Sequence, residues 1–125
     1  MKTTRIIALV LVLATILSCV SVASAYNYTW RYSDKTFRQG DGKIGTTTEK
    51  YRHYIAQIQG DINFSGKGNC GPKRDGIYGP KTVNGVKSYQ RSVPVTADGK
   101  AGYYTKSNLY ADYGCRLPQF LVQDP

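Results

Sequence analysis

The sequence predicts a mainly α fold: a small three-helix bundle with glycine-rich loops and one disulfide, preceded by a cleavable export segment. Three observations predict it. Apolar residues recur at helical spacing over Tyr51, Tyr54, Ile55, Ile58 and Ile62, and again over Val83, Val86 and Tyr89. An octet of the form D-G-x-x-G-x-x-T occurs three times, each time ahead of residues that read as helix. Two cysteines, Cys70 and Cys115, remain once the export segment is removed.

The export segment comes first. Lys2 and Arg5 precede an apolar and small-residue run from Ile6 to Leu17, and Ala23-Ser24-Ala25 places small residues at −3 and −1 of a cleavage site. That is the order of a secretory signal peptide, so residues 1–25 are expected to be removed after Ala25. The apolar run is too short for the roughly 20 residues that span a bilayer. A lipoprotein signal using Cys19 is the rival reading, with Leu17 and Val20 as poor flanks for it.

Removal leaves 100 residues, enough for one modest domain. It also lowers the formal net charge from +9 to +7, through the loss of Lys2 and Arg5. Such a balance attracts polyanions through the field of the whole molecule; service to solubility alone is the other reading. An even cysteine count in an oxidising compartment reads as one disulfide, Cys70–Cys115. In the chain-entropy picture a loop of that length is worth about 4 kcal/mol. His53 is the only other soft ligand, and zinc needs three or four, so no metal or other cofactor is expected.

Along the mature chain, residues 26–47 are aromatic, then rich in glycine and threonine, with no helical period. Residues 48–115 form the expected domain. Its first helix runs from about Thr48 to Ile62, with Thr47 or Thr48 as N-cap. A glycine-rich loop from Ser65 to Gly76 follows, carrying Cys70 and the basic pair Lys73-Arg74. The second helix starts at Pro80, since proline suits the first helical position. It ends by Ser92, because Pro94 cannot continue the ladder. A third runs from about Tyr104 to Tyr110, and residues 116–125 read as a tail held down by Leu117, Phe120 and Leu121.

The octets are DGKIGTTT at 41–48, DGIYGPKT at 75–82 and DGKAGYYT at 98–105. Asp can accept from backbone N–H groups two residues on. The first Gly tolerates positive φ, and the second permits a tight entry into a helix. Thr falls in the first turn of that helix. The octet is therefore first of all a turn that launches a helix.

The stretch from Asp75 to Leu109 resembles the peptidoglycan-binding domain, a three-helix module often fused to wall hydrolases. The likeness rests on the two later octets, on Val86, Tyr89 and Gln90 in the helix between them, and on Leu109 after the second. Upstream, Ile55, Ile58-Gln59, Ile62 and Gly66 match the family's first helix, so the resemblance covers Thr48 to Cys115. Gly85 stands where the family has alanine, the loop carrying Cys70 is longer, and Tyr103 replaces the proline found in the earlier octet.

The resemblance implies non-covalent, cofactor-free binding of peptidoglycan or another anionic cell-wall polymer, with no nucleic acid and no membrane span. It implies ligand contacts at Asp75, Tyr78, Thr82, Asp98 and Tyr104. Gln90 either joins them or is buried and satisfies backbone. Lys73, Arg74, Lys81 and Lys87 are a candidate basic rim. A protein-interaction module that regulates a secreted hydrolase or protease is the alternative.

No catalytic constellation emerges. His53 is alone, both mature cysteines are expected to be paired, and Glu49 with seven aspartates offers no convincing carboxylate pair across a sugar bond. Trp30, in the opening YNYTWRY, either packs across a small core or stacks on sugar. The sequons at Asn27 and Asn63 matter only in a eukaryotic host, and the resemblance points to a bacterial source.

Overall fold

The computed structural model describes residues 28–93 and 95–125. The expected signal peptide with its cleavage site, Cys19, Asn27 and the stop residue Pro94 lie outside them. Four α-helices follow in order: α1 (Thr29–Tyr32), α2 (Arg52–Ser65), α3 (Pro80–Ser92) and α4 (Tyr103–Leu109). A 3₁₀ turn, Glu49–Tyr51, leads into α2, and one π turn, Tyr110–Gly114, extends α4. Among the described residues there is no strand, only an isolated antiparallel bridge between Phe37 and Ala101.

The middle helix keeps the expected bounds, with Pro80 at its start and glycine as N-cap. The others differ. α2 begins three residues late because Thr48 does not cap it; the Thr48 hydroxyl accepts from Gly42 N (3.0 Å) and serves the turn instead. α1 falls in a segment without helical period. It is a single turn, held because Tyr32 and Arg31 are buried rather than by an amphipathic stripe.

α2 was expected to bury one face. In the fold, the eight consecutive residues from Ile55 to Ile62 are all buried. Its apolar residues join Tyr32, Phe37, Tyr78, Val86, Tyr89 and Leu109 in the core. Its buried polar residues each clasp another segment. Gln57 exchanges hydrogen bonds with the backbone of Phe120 (2.7 Å each way). Gln59 holds the octet at 75–82. Asp61 pairs with Arg31 through Nε and the second nitrogen Nη2 (2.7 Å each) and accepts from Tyr32 Oη.

Arg31 is fully buried and also donates to Leu117 O (3.1 Å) and Pro118 O (2.9 Å). The tail is therefore held down as expected, but by backbone carbonyls and by Phe120, whose ring covers Gly60. Leu121 is 84% exposed and takes no part.

The expected Cys70–Cys115 disulfide is not formed: Cys70 is a free, buried thiol. Asn63 sets its direction by accepting from Cys70 N (2.7 Å). The sulfur then lies against α3, 3.9 Å from Thr82 O. Burial pushes this thiol up to about 12. The same contact explains Gly85. A Cβ there would stand 2.6 Å from Cys70 Sγ and 2.7 Å from the Asn69 carbonyl carbon, so close approach of the loop outweighs the roughly 1 kcal/mol by which alanine favours a helix.

Lys106 ties α4 to the N-terminal segment. Fully buried, it donates to Ser33 O (2.7 Å) and Lys35 O (2.6 Å). Desolvation lowers its ammonium to about 8 from an ordinary 10.5. Between those values the unfolded chain holds a proton that the folded chain has released, so stability increases with pH there. Above about 10 the sign reverses, because buried Tyr78 and Tyr89 stay neutral in the fold while unfolded tyrosines ionise. Melting temperatures are expected to climb from about pH 8 to about 9, above which the buried Cys70 thiol, protonated in the fold and ionised in the unfolded chain, offsets the gain; Lys106→Met should flatten that climb.

Candidate functional site

The two later octets are built alike. Asp75 Oδ1 accepts from Ile77 N (2.9 Å), and Asp98 Oδ1 from Lys100 N (2.9 Å), closing the Asx turns. Gly76 and Gly99 follow with φ of 74° and 77°, the left-handed region in which glycine has no Cβ to clash. Gly79 and Gly102 are the extended N-caps of α3 and α4.

A buried glutamine from the preceding helix locks each turn. Gln59 Nε2 donates to Asp75 Oδ1 (3.3 Å), Ile77 O (3.1 Å) and Thr82 Oγ1 (3.0 Å), while its Oε1 accepts from Gly76 N (3.0 Å). Gln90 repeats the set on Asp98 Oδ1 (3.1 Å), Lys100 O (2.8 Å), Thr105 Oγ1 (2.9 Å) and Gly99 N (2.9 Å). The octet at 41–48 departs from this form. Its Thr48 takes Gly42 N directly, and its second glycine, Gly45, has φ of 85°, so a 3₁₀ turn follows rather than an α-helix.

The N-terminal segment joins the two complete turns. Phe37 pairs with Ala101 through both backbone groups (3.1 and 2.9 Å). Gly40 N donates to Tyr78 O (2.9 Å), and Tyr78 N donates to Asp41 O (2.8 Å). Tyr78 then reaches across with its hydroxyl to Gly99 O (2.6 Å). It is completely buried, and that burial raises its phenol well above the ordinary range.

Each launched helix opens onto a groove. At α4 a groove of about 450 Å³ is lined by Thr36, Val95, Lys100, Tyr103 and Tyr104, with Gln90, Asp98 and Thr105 in its wall. Tyr103 and Tyr104 are 54% and 71% exposed, their rings edge to face at 5.2 Å. At α3 a groove of about 480 Å³ is lined by Pro72, Lys73, Ile77 and Lys81, with Gln59, Asp75 and Thr82 in its wall.

The expected ligand residues therefore divide. Gln90, Asp98 and Tyr104 meet at the α4 groove, Asp75 and Thr82 at the α3 groove, and Tyr78, completely buried, lines neither. Tyr104 presents an exposed ring. Asp75, Thr82, Gln90 and Asp98 spend their hydrogen bonds within the turns. Thr36, Lys100 and Tyr103, absent from the expected set, complete the α4 groove. Tyr103 and Lys100 stand inside the octet, and that position was their one signal in the sequence.

Of the rim residues, Lys73 and Lys81 border the α3 groove, while Arg74 stacks over Phe120 (4.9 Å). Trp30 is half exposed and donates from Nε1 to Tyr110 Oη (3.0 Å). His53 is exposed and lies against Tyr54 with ring centroids 3.9 Å apart. Among the described residues, no group of three or more His, Cys, Asp or Glu is placed to hold a metal ion. No helix among them is long and apolar enough to cross a membrane.

Residues 54–109 match the family described as "Putative peptidoglycan binding domain". The matched span runs from the first buried turn of α2 to the end of α4 and contains both glutamine-locked octets. No curated protein and no solved structure matches the chain.

Proposed function

We propose, from the match of residues 54–109 to the peptidoglycan-binding family, that the mature chain is an exported, non-catalytic protein that binds bacterial cell-wall peptidoglycan. The observation that carries the choice of site is the α4 groove. Two exposed tyrosine rings and Lys100 converge there on a frame whose internal polar groups are already paired. Flat rings with a polar edge suit the faces of a glycan. A lysine beside them suits the carboxylates of muramic acid or a stem peptide. Asp75, Tyr78, Thr82, Gln90 and Asp98 serve this reading by holding Tyr103, Tyr104 and Lys100 in place, and only Tyr104 of the expected set touches ligand.

Sedimentation with purified, insoluble peptidoglycan tests it. The wild type should pellet at low and at high salt, since a groove contact survives screening while a purely electrostatic one does not. Tyr104→Ala should weaken retention by about ten-fold, the equivalent of about 1.4 kcal/mol. Wild-type protein left in the supernatant in both salts overturns the reading.

A second reading, a protein-interaction module beside a secreted hydrolase, draws on one observation. Phe64, 63% exposed, and Tyr113 line an apolar shelf with Leu117. Co-purification of a stoichiometric protein with the native secreted chain would favour it.

A further inference from the structure

We infer that the exposed face of α3 is a binding surface for a linear, base-free phosphodiester polymer laid along the helix, additional to the α4 groove. Between Ile62 and Ala97 the chain carries six basic residues and a single acid, Asp75. That acid lies in a groove wall, with its Oδ1 committed to Ile77 N and Gln59. α3 itself contains no acidic residue. Its outward positions are Lys81, Asn84, Ser88 and Arg91, at the i, i+3, i+7, i+10 spacing of one helical face, with Lys87 half-buried beside them.

Lys81 to Arg91 covers about 15 Å at 1.5 Å per residue. The flanking lysines lean to opposite sides. The Lys81 stem lies over Gly71 at the α3 groove, and the Lys87 stem lies over Gly99 beside the α4 turn. The described residues contain two ion pairs, Arg31–Asp61 and Lys35–Asp41, so no carboxylate within 4 Å neutralises the α3 bases.

The form of this surface selects the ligand. The charges are spread along a line instead of converging on a pocket, which suits a chain of anions over one small anion. Lysine ammoniums are compact point charges that suit phosphate oxygens without demanding bidentate geometry. The strip has no aromatic side chain on which a nucleobase could stack, so the polymer is one without bases. Lys87 flanks the α4 turn, so a polymer on α3 and a glycan at Tyr104 can be held together.

Titration of the mature chain with poly(glycerol phosphate) across a salt series tests this. Lys81→Gln/Lys87→Gln/Arg91→Gln should lower affinity more than ten-fold. It should also reduce the slope of log K against log salt by about 2, from three contacts at about 0.7 each. Arg38→Gln/Lys43→Gln/Lys50→Gln removes the same charge from the segment before α2 and should change little. NMR shifts in the wild type should move on Asn84, Ser88 and Arg91.

Equal losses in both triple variants would show that net charge alone holds the polymer, and would overturn the surface. Shifts confined to the α4 groove would overturn it too. A single-stranded oligonucleotide of matched length that binds ten-fold tighter than poly(glycerol phosphate) would overturn the assignment to a base-free chain. Peptidoglycan stripped of phosphate polymers should still sediment the α3 variant, so failure here and failure of the glycan site are separable.

Discussion

Arg31→Ala is expected to destabilise the domain by about 3–5 kcal/mol, the range for removing one partner of a buried ion pair. Arg31 and Asp61 are both fully buried, so the substitution leaves a carboxylate in the interior with only Tyr32 as partner. It also strips the donors from Leu117 O and Pro118 O and frees the tail. A small domain has about 5–15 kcal/mol in total, so urea unfolding should show a large loss of midpoint.

Two comparisons separate charge from packing. Arg31→Lys should rescue little, since an ammonium cannot fork to a carboxylate and two carbonyls at once. Arg31→Met/Asp61→Leu should be more stable than Arg31→Ala, because no buried charge is left behind. If the double variant is the less stable, the cluster is not held by charge pairing.

The second large effect is at the glutamine locks. Gln59→Leu and Gln90→Leu should each cost about 2–4 kcal/mol, at about 1–3 kcal/mol for each buried group left unpaired. Gly76 N and Gly99 N lose their acceptors, and Thr82 and Thr105 lose a buried donor. Gln90→Glu is the sharper test. It matches the shape, but a carboxylate has no hydrogen to donate to Asp98, Lys100 O or Thr105, and it sets like charges together. Chemical denaturation should rank Glu below Leu at neutral pH. The reverse order would mean that the site is loose enough to admit water.

Much of this architecture was legible in the sequence. The 3.6-residue recurrence of Ile55, Ile58 and Ile62 and the proline at 80 mark α2 and α3 because both signals are local. The octets were legible as turns for the same reason. What escaped depends on partners far along the chain. Nothing local to Gln57, Gln59 or Asp61 announces the partners that reach them: the tail, the turn at 75–82 and Arg31. One signal was present: Ile58-Gln59 and Tyr89-Gln90 each place an apolar-Gln pair ahead of an Asp-Gly octet. The repeat of that pair could have identified the locks.

The disulfide failed for a different reason. An even number of cysteines carries no direction, and Asn63 turns Cys70 onto α3. The candidate grooves were legible in part. The octets located both grooves, but the conspicuous Asp, Thr and Gln are spent on the frame, and the less regular positions between them face outward.

That division of labour has an engineering consequence. Each helix-and-turn cassette closes its own polar accounts, so Lys81, Lys100 and Tyr104 can be exchanged without touching what keeps the backbone in shape. The molecule is thus a ready scaffold for grafting: three or four outward letters can be rewritten while the inward ones are left untouched.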